Sequence, residues 1–387
     1  MDVSIYFESI DFNNDSFLPN TLGNVIKSHT NENGFPSLEG VQLAIIGVKE
    51  ERQAVSNNGC SKAVNEVRSF LYKLFHGNYK TNIVDLGNIN PGHTIEDTYF
   101  ALSSTISHLV KNNIVPVIIG GSQDLTYANY LAYEKLEQTI NLVTVDSCFD
   151  LGAPDQKLDS QSYLSKIILH QPNFLFNYSN IGYQTYFVDN NALELMSKLY
   201  FDVYRLGQVK ANMKEVEPIV RNADILSFDI SAIRQADAPG NQNAAPNGFY
   251  GEEACQIVRY AGMSDKLSSI GFYEINPSLD RNNQTSHLAA QMIWYFIDGY
   301  YNRKRDFPVG DKSEYLKYRV VLKDNEHEIV FYKSNKSDRW WMEVPYPVNQ
   351  KIKYGRHYLV PCSYSDYQIA CNDEMPDRWW KTFQKLS

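Results

Sequence analysis

The run Ile118-Ile-Gly-Gly-Ser-Gln-Asp124 closes an apolar stretch with a glycine pair, an amide and a carboxylate. Val145-Asp-Ser-Cys-Phe-Asp150 and Ser227-Phe-Asp-Ile-Ser231 follow the same plan. Each ends a strand-like apolar run and sets a carboxylate just past its carboxyl end. In a parallel α/β sheet that edge is where ligands and catalytic groups collect. The three segments therefore predict strands whose carboxyl ends carry Asp146, Asp150 and Asp229 toward one cleft. A single Asp at such a position often only caps a helix, and Asp124, directly before the helical run at Leu125, is expected to be an N-cap.

Outward from these segments, strand-like and helical runs alternate. Val41–Val48 is apolar and bounded by Gly40, while Ser61–Phe75 spaces Val64, Val67, Leu71 and Leu74 on one helical face. Strands are expected at Asn82–Leu86, Ile114–Ile119, Asn141–Val145, Asp224–Phe228 and Leu267–Tyr273. Helices are expected at Ile95–Val110, Leu125–Leu136, 190–199, 212–221, 251–262 and 284–301. This alternation implies βαβ units and a mainly parallel sheet in a three-layer α/β/α domain. The domain spans 40–304, after a peripheral segment at 1–39.

Beyond residue 305 the character changes. Four of the five tryptophans lie there, in two copies of one tetrapeptide: Asp338-Arg-Trp-Trp341 and Asp377-Arg-Trp-Trp380. Residues 311–387 carry 13 basic and 11 acidic side chains against 23 and 34 in the first 310. Such aromatic content needs burial, so 305–387 is expected to fold as a small appendage on the body. Trp340, Trp341, Trp379 and Trp380 either pack inward or leave some indoles exposed. Exposed Trp beside Arg339 and Arg378 would form a docking surface for a protein partner.

The net charge of −9 argues against a nucleic-acid-binding surface. No apolar run approaches the roughly 20 residues of a membrane helix, so membrane insertion is not expected. The start, Met1-Asp-Val-Ser-Ile-Tyr-Phe, lacks the basic and apolar regions of a signal peptide. Five scattered cysteines without a CxxC pair suggest reduced thiols and a cytoplasmic location.

Taken together, the three motifs resemble the metal-binding segments of the ureohydrolases, the arginase, agmatinase and formimidoylglutamase family, whose pattern runs GGDHS, DAHxD, SFDxD. The likeness extends over roughly 40–304. Asn57-Asn-Gly-Cys-Ser-Lys-Ala-Val resembles an early glycine-containing segment, and Phe272-Tyr-Glu-Ile-Asn-Pro277 resembles the family's EVNP segment. Ala238-Pro-Gly240 and Ala244-Ala-Pro246 resemble the loop after SFDxD, especially its formimidoylglutamase version. The resemblance implies an arginase-like fold, a homo-oligomer, and a two-manganese site that presses hydroxide onto a guanidine or amidine carbon. It also implies that Glu274, on the cleft's rim, binds the substrate's guanidinium-like group.

This chain departs from the pattern at the ligands. Gln123 and Cys148 stand where the family has histidines, and Ser231 where it has an aspartate. One implied ion would keep Gln123, Asp146, Asp150 and Asp229, oxygen donors that suit Mn²⁺, Mg²⁺ or Ca²⁺. The other would rely on Cys148 and Ser231, a soft donor and a neutral one. No histidine stands near Leu158–Leu164, where the family places a proton shuttle, and His108 and His287 fall in helices as structural residues. Arg234 or Lys157 would otherwise have to neutralise the acids. No tightly bound cofactor is expected, at most one divalent cation, and no catalytic set is intact. Two readings follow: a pseudoenzyme kept as a binding or scaffold protein with a small-molecule ligand, or a hydrolase of linear amidine or guanidine C–N bonds using a mononuclear or unconventional site.

Overall fold

The computed structural model describes residues 2–12, 16–77, 79, 82–153, 156–308, 312–323, 328–347 and 355–387. Ten strands form one sheet: β1 (Phe7–Glu8), β2 (Lys27–Ser28), β3 (Leu43–Val48), β4 (Ile83–Ile89), β5 (Val115–Ile119), β6 (Ile140–Val145), β7 (Leu175–Tyr183), β8 (Asp202–Arg205), β9 (Ile225–Asp229) and β10 (Ser269–Tyr273). The order is β1-β4-β3-β5-β10-β9-β6-β7-β8, with β2 also on β4. Only β1 runs antiparallel. The segment 1–39, expected to be peripheral, lies at this sheet edge and contributes β1 and β2.

Period-two alternation divides each buried strand between two cores. In β3, Leu43 and Ile45 face one core while Ala44 and Ile46 face the other. The first core takes residues from the helices Ala63–Leu71, Val216–Arg221, Gly251–Gly262 and Gln284–Tyr301. The second takes Ile95–Lys111, Leu125–Glu134 and Tyr163–Leu169. The result is the expected three-layer α/β/α body. The helices at 251–262 and 284–301 keep their expected bounds, whereas 212–221 divides into a 3-10 turn at Met213–Glu215 and a helix at Val216–Arg221. No helix among the described residues is long and apolar enough to cross a membrane.

The appendage is a four-stranded antiparallel sheet, β11 (Tyr315–Val321), β12 (Glu328–Ser334), β13 (Trp340–Glu343) and β14 (Leu359–Cys362), with helices Tyr364–Cys371 and Asp377–Leu386. Three of its four tryptophans are core residues. Trp340, Trp341 and Trp379 are 8, 1 and 1 % exposed, and only Trp380, at 42 %, reaches solvent. Of the two alternatives, inward packing holds for Trp340, Trp341 and Trp379, and Trp380 alone of the four is left exposed. A small sheet needs large side chains to build a core, and these indoles supply it. Trp340 stacks on Tyr318 and Tyr367, and the Trp379 indole N–H donates to the Glu343 carbonyl (2.9 Å).

Basic groups of the appendage meet acids of the body, which accounts for the uneven charge along the chain. Arg356 pairs with Asp224 (2.6 Å), Lys381 with Asp202 (3.2 Å), Arg378 with Glu215 (3.3 Å) and Arg339 with Glu217 (3.0 Å). From the body, Arg221 donates to the Trp340 and Cys362 carbonyls. Several contacts fall at the amino ends of strands: Thr139 before β6 meets His357, Asn177 of β7 meets Lys385, and Asp202 opens β8. The appendage thus covers the sheet edge opposite the one that carries the acidic motifs.

Candidate metal and ligand site

Register brings the motifs together. β5, β10, β9 and β6 are consecutive neighbours, pairing Ile119 with Phe272, Tyr273 with Asp229, and Phe228 with Val145. Parallel strands lie about 4.8 Å apart, so residues just past these ends share one small region. The glycine pair makes room for this approach. A Cβ on Gly121 would lie 1.8 Å from the Glu50 carbonyl oxygen, a contact only glycine avoids. Asp150 and Glu274 both hold positive φ, +50° and +64°, a costly backbone conformation that concentrates at functional sites.

Asp146, Cys148 and Asp150 bring one ligand atom each within 4.8 Å of one another. The Cys148 Sγ is 3.3 Å from Asp150 Oδ1 and 3.6 Å from Asp146 Oδ1. Gln123 donates through Nε2 to Asp146 Oδ2 (2.9 Å) and to the Tyr163 hydroxyl (3.1 Å). Asp229 falls outside this group, and its Oδ1 accepts the Ser231 backbone N–H at 2.6 Å. Ser231 is buried beside it.

Two expectations fail at the level of individual side chains. Glu274 is not on the rim; it is 2 % exposed. Its two oxygens accept the Gln123 backbone N–H (2.9 Å) and the Asn57 amide (2.7 Å), so both already have protein partners. Asp124 takes the N-cap position but makes no capping bond; it accepts the Tyr99 hydroxyl instead.

The electrostatics are one-sided. Burial pushes the Asp146, Asp150 and Asp229 carboxyls up, and mutual repulsion adds to this at Asp150 and Asp229. Burial also raises Glu274 to about 7, and Asp124 to about 6. The Cys148 thiol is raised by burial and then by Asp150 and Asp146. Among the described residues no Lys or Arg forms an ion pair with these five carboxylates. Arg234, expected as a neutralising group, pairs with Asp237 at 2.9 Å and lies over the Tyr250 ring. Lys157 is exposed.

Tyr163 escaped the sequence reading. It fills the neighbourhood where the resemblance implies a histidine, is fully buried, and contacts Gln123. No motif marks it; its only signal is an aromatic residue on the short helix after Asp150. None of the described histidines joins the group. His287 stacks on Phe70, and His170 lies against Tyr127.

A cleft of about 490 Å³ opens over the group, lined by Cys148, Asp150, Phe149, Phe187, Asp189 and Asn243 among others. Asp146 and Asp229 lie outside its lining. Two larger clefts, about 710 and 870 Å³, flank Tyr250 and carry none of the motif residues. The 490 Å³ cleft is the one tied to chemistry, because Asp150, which lines it, has a buried oxygen, Oδ2, without a hydrogen-bond partner.

A wide, almost wholly parallel sheet between two helical layers, with buried carboxylates at its carboxyl edge, is an α/β protein of the arginase architecture. Residues 41–298 match the Arginase family, and the chain belongs to that family. It is 26 % identical over 287 residues to the formimidoylglutamase of Streptococcus gordonii, covering 68 % of this chain and 86 % of that protein. It is 28 % identical over 266 residues to that of Staphylococcus aureus, covering 66 % and 85 %. The fold is shared with Trypanosoma cruzi formiminoglutamase solved with Mn²⁺ (TM-score 0.64, 21 % identity, 70 % of this chain and 98 % of that one). It is shared also with the agmatine ureohydrolase of Thermoplasma volcanium (TM-score 0.60, 19 % identity, 74 % and 97 %). The appendage lies beyond the matched residues.

The donors brought together, Asp146, Cys148 and Asp150, would fit one cation. Three buried carboxylates with an unpartnered oxygen among them form a site that lacks positive charge. A second ion would depend on Asp229 and the neutral Ser231 hydroxyl, because Cys148 already lies among the donors of the first.

Proposed function

We propose that this arginase-family chain has lost two-metal hydrolysis and acts as a binding protein. Its acidic cleft takes one divalent cation and a small ligand. The observation that carries this reading is the donor set. Gln123 and Cys148 stand at the positions of the two implied histidine ligands, and Gln123 donates to the very carboxylate that a metal would need. Glu274 supports it, since both of its oxygens already accept protein hydrogen bonds.

In the bound state the cation supplies positive charge to Asp146 and Asp150. Asp229 contributes to the field from the adjacent strand end, Gln123 holds Asp146 in place, and Tyr163 fixes Gln123. A proton shuttle is commonly worth ~10²–10⁴-fold in rate, and no described histidine is placed to serve as one. Retention of three aspartates and Glu274 favours a second reading, a mononuclear hydrolase of linear amidine C–N bonds.

Mn²⁺ loading, desalting and elemental analysis, run beside assays on arginine, agmatine and formimidoylglutamate, separate the two. The expected result is no stoichiometric Mn²⁺ pair and negligible turnover. The combined variant Gln123→His, Cys148→His, Ser231→Asp should gain Mn²⁺ affinity. Two tightly held ions, or vigorous turnover by the unmodified chain, would overturn the binding-protein reading.

A further inference from the structure

We infer that Cys148 is a metal ligand, and that it turns this site from a manganese site into one for a single thiophilic dication of the Zn²⁺, Co²⁺ or Cd²⁺ class. The inference rests on the one-cation reading above and names the ion that reading leaves open.

Geometry carries it. The three ligand atoms lie within 4.8 Å of one another, so one ion can be reached by Asp146, Cys148 and Asp150 together. The sulfur sits on the acidic side of the cleft, 3.3 Å from one carboxylate oxygen and 3.6 Å from the other. Cys148 is only partly buried and lines the cleft, so an ion arriving from solvent meets it directly. A second observation comes from a residue outside the three donors. Gln123 is 1 % exposed and its Oε1 has no partner, while the other end of the same amide touches Asp146. A buried amide oxygen of this kind lacks a donor or a cation, and a half-turn of the amide, exchanging its nitrogen and oxygen, would bring it to a dication beside Asp146.

Donor softness selects the ion. Thiolate favours Zn²⁺ and its neighbours, whereas Mn²⁺ and Mg²⁺ favour carboxylate, carbonyl and water oxygens. The Asp229 carboxyl, whose Oδ1 accepts the Ser231 N–H, lies outside the three donors. Ion capture replaces the S–H bond by a metal–sulfur bond and sends the thiol proton to solvent, so uptake releases acid. A bland alternative exists in the same geometry: the thiol merely donates a weak hydrogen bond to Asp150. Metal spectroscopy distinguishes the two.

The test uses the full chain under anaerobic conditions. Co²⁺ titration should give a near-ultraviolet sulfur-to-cobalt charge-transfer band that saturates at about one ion per chain, as a single site requires. Cys148→Ser should abolish the band, and Cys60→Ser should leave it intact. Because almost any site prefers Zn²⁺ to Mn²⁺, the decisive quantity is the change in that preference. Competition between the two ions should show it falling at least about tenfold in Cys148→Ser. Thermal melts of the metal-free variants confirm folding, and Cys148→Ala serves if the serine variant does not fold. Co²⁺ bound without the band, or an unchanged preference in the variant, would overturn the thiolate inference while leaving the one-cation reading intact. No binding of any dication would overturn both, and two-manganese uptake with turnover would overturn the binding-protein reading itself.

Discussion

Two buried acidic centres lie in the same sheet and handle charge in opposite ways. Asp85 on β4 is fully buried, and Arg68, from the helix Ala63–Leu71, is equally buried beside it. The pair is bidentate, with Nε–Oδ2 2.7 Å and Nη2–Oδ1 2.9 Å, and the Tyr72 hydroxyl and Gly87 N–H complete the carboxylate. Asp146, Asp150 and Asp229 are almost as deeply buried, yet no cationic side chain pairs with them among the described residues. A structural carboxylate is neutralised by the chain itself. The carboxylates at the carboxyl edge are left short of positive charge, the arrangement expected of groups meant for something from outside.

The largest effect that would break this contrast comes from removing the internal cation. Arg68→Ala leaves Asp85 buried with its hydroxyl and amide donors but no counter-charge. Breaking one side of a buried pair typically costs about 3–5 kcal/mol, and that loss is expected in urea denaturation. A cost under about 1 kcal/mol would show that Tyr72 and Gly87 suffice, and that the two centres differ less than their partners suggest.

The contrast was only partly legible in the sequence. Strands β5, β9 and β10 could be read because apolar runs stop abruptly at Gly120, Asp229 and Glu274. Strand β7 could not, since Asn177, Ser179 and Asn180 make Leu175–Tyr183 look like a loop. Those polar groups have partners that only the fold supplies. The Asn180 amide donates to the Cys148 carbonyl (2.8 Å), and Asn177 serves Asp202 and Lys385. The convergence of Asp146, Cys148 and Asp150 follows from short-range spacing after one strand, so it could be read. Glu274 was misplaced on the rim because its burial depends on Asn57, 217 positions away in the chain. The tryptophans were ambiguous for a related reason: Trp-Trp pairs on a strand or helix report large side chains, not which surface covers them.

A smaller effect sharpens the contrast through pH. Glu274 has its carboxyl raised from 4.5 to about 7, first by burial. Its contribution to stability is fully present below about 4.5 and is lost as pH rises through about 7, because only the unfolded chain ionises freely in between. Glu274→Gln removes that titration. Between pH 5 and 8 the wild-type chain should lose on the order of 2 kcal/mol relative to this variant, read from paired denaturation curves in metal-free buffer. Parallel curves would mean that the hydrogen bonds from Gln123 and Asn57 hold the carboxylate charged despite its burial.

The smallest expected change has the opposite sign from that at Arg68. Asp150→Asn removes a carboxyl that burial and its acidic neighbours disfavour in the charged form, while keeping the shape of the side chain. At neutral pH the unfolded chain gains more from ionising this group than the folded chain does. The variant should therefore be more stable than the parent by about 1–2 kcal/mol in metal-free buffer, part of the gain being offset by altered bonding to Cys148 and Asp146. With Zn²⁺ present the order should reverse, because a ligand that binds only the folded parent raises its melting temperature and the variant lacks that ligand oxygen. A variant less stable than the parent in both buffers would place Asp150 with Asp85, as a structural carboxylate whose neutralising partner lies within the fold.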